Sequence, residues 1–248
     1  MANQQSGLDG LSLPVAILIG SIIIAGSILY AGAHLPVQIG QVKQTAKIDK
    51  ANGGGQPSPV AQAVDVKAVK TDGDPVIGSP SAPVAIAYWY DYQCPFCQAN
   101  EETVMSQVVA DYVRTGKIRV VFKDLQFLGP DSTTLGIASR AVWEVAPSMF
   151  YDWHKAIFDN QGKENSGWAT KDKIRSITAG VLGNDKTDKV MAIMVSKAKV
   201  YQAAMDADKQ EGSALGIRST PTSVIGKTLV VGAKSYAEIK ADIDAALK

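Results

Sequence analysis

No charged residue interrupts Leu11–Ala33, LSLPVAILIGSIIIAGSILYAGA, and an apolar run of that length crosses a hydrocarbon layer of about 30 Å as one helix. It exceeds the apolar core of an export signal, about 7–15 residues, and Asp9 but no Lys or Arg precedes it. Residues 1–35 therefore read as a transmembrane anchor, with a cleaved signal as the alternative because Ala31-Gly32-Ala33 has small-x-small character. Residues 36–63 turn polar and rich in Gly, Pro, Gln and Lys, without an apolar period, which predicts a flexible tether. Val64–Val69 alternates like a short strand, and TDGDPVIGSPSAP is a turn-rich connection. The nearly continuous apolar run Val84–Asp91, VAIAYWYD, is β-branched and aromatic, as a central strand buried on both faces would be. Val104, Val108, Val109 and Tyr112 then fall on one helical face, with Gly116 as the stop signal. Helical periods recur over Thr133–Val145, Met149–Phe158, Thr170–Val181 and Asp185–Glu211.

Composition narrows the function classes. With 46% hydrophobic residues, 20% charged and a formal net charge of +1, the chain can bury a sizeable core. It has no basic run and no basic–aromatic interleaving, so nothing points to nucleic acid. Lys43, Lys47 and Lys50 follow the apolar span, and by the positive-inside rule they favour a cytoplasmic domain, against the exported placement that the remaining features favour.

The chain's two cysteines, Cys94 and Cys97, stand in YQCPFCQ. Half a zinc site would need further ligands, and only His34 and His154 are on offer, the latter reading as a helical-face histidine in FYDWHKAIF. A structural staple closing so short a loop would remove little chain entropy. A redox dithiol is the strong candidate. The pattern puts Cys94 where a central strand passes into the first turn of a helix, with Pro95 tolerated there because that turn needs no amide partner. Unpaired amides and the helix dipole stabilise a thiolate at such a place. Cys94 is thus expected to be the attacking and leaving sulfur, and Cys97, most of a turn further on, the more buried resolving one. Glu101 and Glu102 are candidates for tuning or proton transfer, beside the commoner reading as solvated helix-face carboxylates. Asp91 reads as capping or closing the turn, and Trp89 and Tyr90 as core or groove wall rather than catalytic groups.

Taken whole, DPVIGSPSAPVAIAYWYDYQCPFC resembles the entry to a DsbA-like thioredoxin-fold disulfide oxidoreductase, and GIRSTPTSVIGKTLVVGAKSYAEIKADIDAAL resembles that family's closing segment. The resemblance covers roughly Asp74 to Lys248. It implies a thioredoxin-like α/β fold, a central mixed sheet flanked by helices, over 64–248 with a helical insertion at about 131–214. It further implies a cis Thr220–Pro221 bond whose loop faces the dithiol, with the Thr220 backbone offered to an extended substrate segment. Pro95 and Phe96 complete the expected active-site loop. Phe96 departs from family members that carry a histidine between the cysteines, which would make the protein a milder oxidant.

The expected activity is thiol–disulfide exchange on cysteine-containing exported proteins, by a domain anchored to the membrane and lying outside the cytoplasm. No cofactor beyond the Cys94–Cys97 disulfide and no metal is expected. Expected partners are client proteins, a membrane redox partner that reoxidises or reduces the dithiol, and lipid around the N-terminal helix. A reductase or isomerase uses the same residues, and a non-catalytic client-binding module uses the same groove, so these readings stay open beside the oxidase.

Overall fold

The computed structural model describes residues 64–248, so the expected anchor over 1–35 and tether over 36–63 lie outside the described residues. Among the described residues no helix is long and apolar enough to cross a membrane.

Five strands form one mixed sheet in the order β1-β3-β2-β4-β5. They are β1 (Val76–Ile77), β2 (Val84–Tyr90), β3 (Ile118–Asp124), β4 (Thr222–Ile225) and β5 (Thr228–Val231). β2 runs parallel to β3, and the remaining pairs are antiparallel. The apolar run of β2 is used on both sides, as its period of two dictates. Ile86, Tyr88 and Tyr90 enter the larger core, while Ala87 and Trp89 enter a smaller one with Val64, Val69, Leu125 and Val224.

A helix leaves the end of β2 in four consecutive segments, Pro95–Asn100, Glu101–Met105, Ser106–Val108 and Val109–Val113, together α1. The second and fourth are π-helical. Thr103 and Ser106 bend their hydroxyls back to the carbonyls of Ala99 and Glu102, offering the backbone a competing partner along this stretch. Between β3 and β4 lie five helices: α2 (Pro130–Val145), α3 (Phe150–Asp159), α4 (Lys171–Leu182), α5 (Asn184–Ser196) and α6 (Ala198–Ala214). α7 (Tyr236–Ala246) closes the chain behind a reciprocal Ser235–Glu238 cap.

Two expectations are corrected. Val64–Val69 is not a strand; a 3-10 turn occupies Val66–Ala68, because the Asp65 carboxylate accepts from Lys67 N and closes a local turn. Its alternating valines still serve the core, since Val64 and Val69 are both buried. Asp185–Glu211 is not one helix. The chain turns at Lys197, whose φ of −109° and ψ of 10° leave the helical region. Its ammonium reaches Glu144 at 2.5 Å, and Tyr201 donates to the same carboxylate at 2.8 Å. The break lets α5 pack on α2 and α4 while α6 lies against α2 and β3. Neither β1 nor β3 is assigned by the pattern reading.

A buried ionic cluster fastens the insertion to the sheet. Lys123 Nζ of β3 lies 2.5 Å from carboxylate oxygens of Asp74 and Asp208 and 3.0 Å from Glu211. Arg140 of α2 reaches Asp124 at 2.7 Å, Asp208 at 2.5 Å and Asp74 at 3.1 Å.

Candidate active site

β2 ends against the sheet's centre, so the turn that follows is held on both sides. Asp91, fully buried, accepts from Gln93 N (2.8 Å), Phe127 N (2.8 Å), Leu128 N (3.0 Å) and Ser132 Oγ (2.6 Å). That carboxylate ties the dithiol turn to the loop after β3 and to the start of α2. Gln93 extends the tie, donating to Leu128 O at 2.6 Å and accepting from Asn165 N at 2.7 Å. Gln161 donates to Tyr92 O (2.8 Å) and Cys94 O (3.2 Å), clamping the loop from the far end of α3. Gly129, at φ 106°, passes so close to Asn165 that a Cβ there would stand 2.3 Å from its Oδ1.

Cys94 is the N-cap of α1, and Pro95 stands in the first turn, where its missing N–H costs nothing. The two thiols are free but unequal. Cys94 is 4% exposed and Cys97 is wholly buried. The Thr220–Pro221 bond is cis, and the thiol of Cys94 donates to Thr220 O at 3.4 Å. Among the described residues the buried Thr220 hydroxyl has no hydrogen-bond acceptor or donor of its own, and it can donate to sulfur when Cys94 ionises. The Cys94 thiol is lowered from 9.0 to about 6, chiefly by its hydrogen bond to Cys97, against burial, with Thr220 and the amides of Cys97 and Phe96 adding to the effect. Burial and the neighbouring sulfur push Cys97 well up instead. A thiolate held by donors beside a buried thiol can attack an accessible disulfide, and the pair can close on itself. Phe96 is 65% exposed and Phe127 45%, leaving apolar surface on the dithiol helix and on the Asp91-bound loop.

Each sequence-derived site residue has its place: Cys94, Cys97 and Thr220–Pro221 converge, Pro95 begins α1, and Phe96 faces solvent. Glu101 departs from the solvated reading, which fits Glu102 only. It is 1% exposed and lies 3.2 Å from His154 Nε2 and 3.4 Å from the Tyr151 hydroxyl. His154 is itself wholly buried, with Nδ1 2.9 Å from the Tyr92 hydroxyl. Gln93, Gln161 and His154 escaped sequence reasoning as parts of the site, since each reaches it from polar or helical surroundings that carry no local signature.

The thioredoxin family model matches residues 70–245. The chain belongs to the thioredoxin family. Disulfide bond formation protein D of Bacillus subtilis is 26% identical over 181 residues, 71% of this chain and 78% of that protein. Among solved structures, BdbD from Bacillus subtilis superposes with a TM-score of 0.65 at 23% identity, covering 76% of this chain and 97% of that one. The thiol-disulfide exchange protein alpha-DsbA2 from Wolbachia pipientis gives 0.60 at 22% identity, covering 69% and 86%. The fold is thus that of DsbA-like proteins, and with the curated relatives' names the chain is a thiol-disulfide oxidoreductase of its family.

Proposed function

We propose that the chain oxidises pairs of cysteines in exported proteins, from a domain anchored by Leu11–Ala33 and lying outside the cytoplasm. The observation that carries this reading is the inequality of the two thiols at the N-terminus of α1. A client thiolate attacks Cys94 Sγ, the Cys94–Cys97 bond breaks, and Cys97 leaves with the electron pair. A second client thiolate then attacks the client sulfur of the mixed disulfide and releases Cys94 as a thiolate, which is stable near neutral pH because its pKa is about 6. Stabilising that leaving group favours giving the disulfide away over keeping it, so the oxidase direction is supported over the reductase. A membrane redox partner would restore the disulfide.

Two measurements test this. Reduced, denatured ribonuclease should regain activity when mixed with the oxidised protein, and the potential against glutathione should be more oxidising than that of glutathione; a more reducing value sinks the oxidase assignment. Protease added to intact spheroplasts should digest residues 64–248. Digestion only after lysis would reverse the topology, in line with Lys43, Lys47 and Lys50.

A further inference from the structure

Cys94 sets two acceptors before one donor: its backbone oxygen takes the Cys97 amide at 3.1 Å, and the same amide supports its sulfur as a thiolate. Both acceptors lie in the first turn of α1, where the only amides are those that have no partner within a helix. What else supplies the carbonyl therefore decides how much of the Cys97 amide the sulfur receives.

From α1 itself the carbonyl also takes Gln98 N at 3.1 Å. Its remaining donor comes from the insertion, which holds no cysteine of its own. Gln161, half-buried just past the end of α3, aims the two hydrogens of one amide group at two carbonyls of the dithiol turn, Tyr92 O (2.8 Å) and Cys94 O (3.2 Å). Carbonyls only accept, so this pairing fixes which end of the side chain faces the turn. Its backbone is fixed too, since Gln161 N donates to Phe158 O at 3.0 Å and Asn160 N to Ile157 O at 3.1 Å. The fork thus holds the peptides on either side of Gln93 and brings the positive end of a dipole to the Cys94 carbonyl. Cys97 of α1 and Tyr88 of β2, which titrate beside the Cys94 sulfur, are both kept protonated by burial. Asp91 is occupied by its own four donors, and Lys163 and Glu164, next along the chain from Gln161, face solvent.

We propose that Gln161 is a positioning residue of the exchange reaction, which supplies the Cys94 carbonyl and so releases the Cys97 amide to the Cys94 sulfur. The role rests on the redox reading of the dithiol. When a client is oxidised, two electrons pass from its dithiol to the Cys94–Cys97 bond; of its two protons one ends on Cys97 and one in solvent, and Cys94 Sγ keeps the negative charge that the released amide meets. The insertion thereby sets how far the protein gives its disulfide away.

The test uses the full-length chain. Gln161→Met keeps the bulk and removes both donors, and Gln161→Glu keeps the shape and sets an anion against the two carbonyls. Thiolate absorbance of reduced Gln161→Met should place the Cys94 midpoint about 0.5–1 pH unit above the wild type, one net hydrogen bond expressed as a difference in ionisation. The equilibrium with glutathione should move about 3–10-fold toward the disulfide form. Gln161→Glu should move both further in the same direction, and it serves alone if Gln161→Met does not fold. Gln98→Met measures a merely structural loss, because it removes a side-chain donor between α1 and the same end of α3, to Phe158 O at 3.0 Å. Its melting temperature should fall while its thiolate midpoint and glutathione equilibrium stay at the wild-type values. An unchanged midpoint and equilibrium in the Gln161 variants, or an equal shift in Gln98→Met, would overturn the proposal. A wild-type chain whose cysteines exchange with glutathione at no ratio of its two forms would overturn the redox reading itself.

Discussion

At the scale of single residues, the site consists of two chemically identical thiols made different by their surroundings. Cys94 has donors in the Phe96 and Cys97 amides and the Thr220 hydroxyl, whereas Cys97 has burial and a neighbouring sulfur. Client trapping should therefore be one-sided. Cys97→Ser should accumulate a covalent complex through Cys94, Cys94→Ser should trap little, and both should lose net turnover. Trapping by Cys94→Ser alone, read on non-reducing gels, would reverse the roles. The same inequality sets a pH dependence. The Cys94 pKa is lower in the folded protein, so the reduced state gains stability that is present above the unfolded thiol's value and is lost as pH falls through about 6. The melting temperature of the reduced protein minus that of the oxidised one should thus rise between pH 5 and 9. A flat difference would mean that Cys94 is not a stabilised thiolate. The sequence discloses this pair because Cys-x-x-Cys is local; it could not disclose that the hydroxyl of Thr220, 126 residues away, stands ready to donate to the Cys94 sulfur.

At the scale of elements, β2 and α1 are legible because one apolar run and one helical face directly encode them. β3 is less so: IRVVFKD mixes charges into a strand whose Lys123 and Asp124 are buried only because ionic partners meet them. The Lys197 break is invisible for a similar reason, as Glu144 lies 53 residues earlier. What binds the elements into a site is Asp91, read from sequence as closing its own turn but found to hold the loop after β3 as well. Replacing it with Asn keeps the size and loses one acceptor oxygen among three amide donors and a hydroxyl. Each buried donor left unmet costs about 1–3 kcal/mol, so Asp91→Asn should destabilise by roughly 2–4 kcal/mol in urea unfolding, whereas Ser132→Ala should cost about 1 kcal/mol. Equal, small effects would show that the loop is held by other contacts.

At the scale of the whole molecule, the insertion is joined to the sheet by charge as well as by apolar packing, and the joint is unbalanced. Four carboxylates, Asp74, Asp124, Asp208 and Glu211, surround two cations, Lys123 and Arg140. Burial, then Asp124 and Asp74, raise Asp208 to about 7 in spite of both cations, and burial raises Asp124 too. A carboxyl whose pKa is raised on folding contributes stability that is fully present below its unfolded value, about 3.9, and is lost as pH rises through the folded value. The oxidised protein, free of the Cys94 contribution, should therefore lose stability on the order of 2 kcal/mol between pH 5 and 7 through this cluster. Asp208→Asn is neutral at every pH and resembles the protonated form, so it should lack this cluster's share of the loss and fall less than the wild type between pH 5 and 7. Unfolding in urea at each pH reads the comparison directly. Parallel curves for the two proteins would mean that Lys123 and Arg140 keep Asp208 ionised throughout, and that the insertion is held by a charge-balanced joint with no proton of its own.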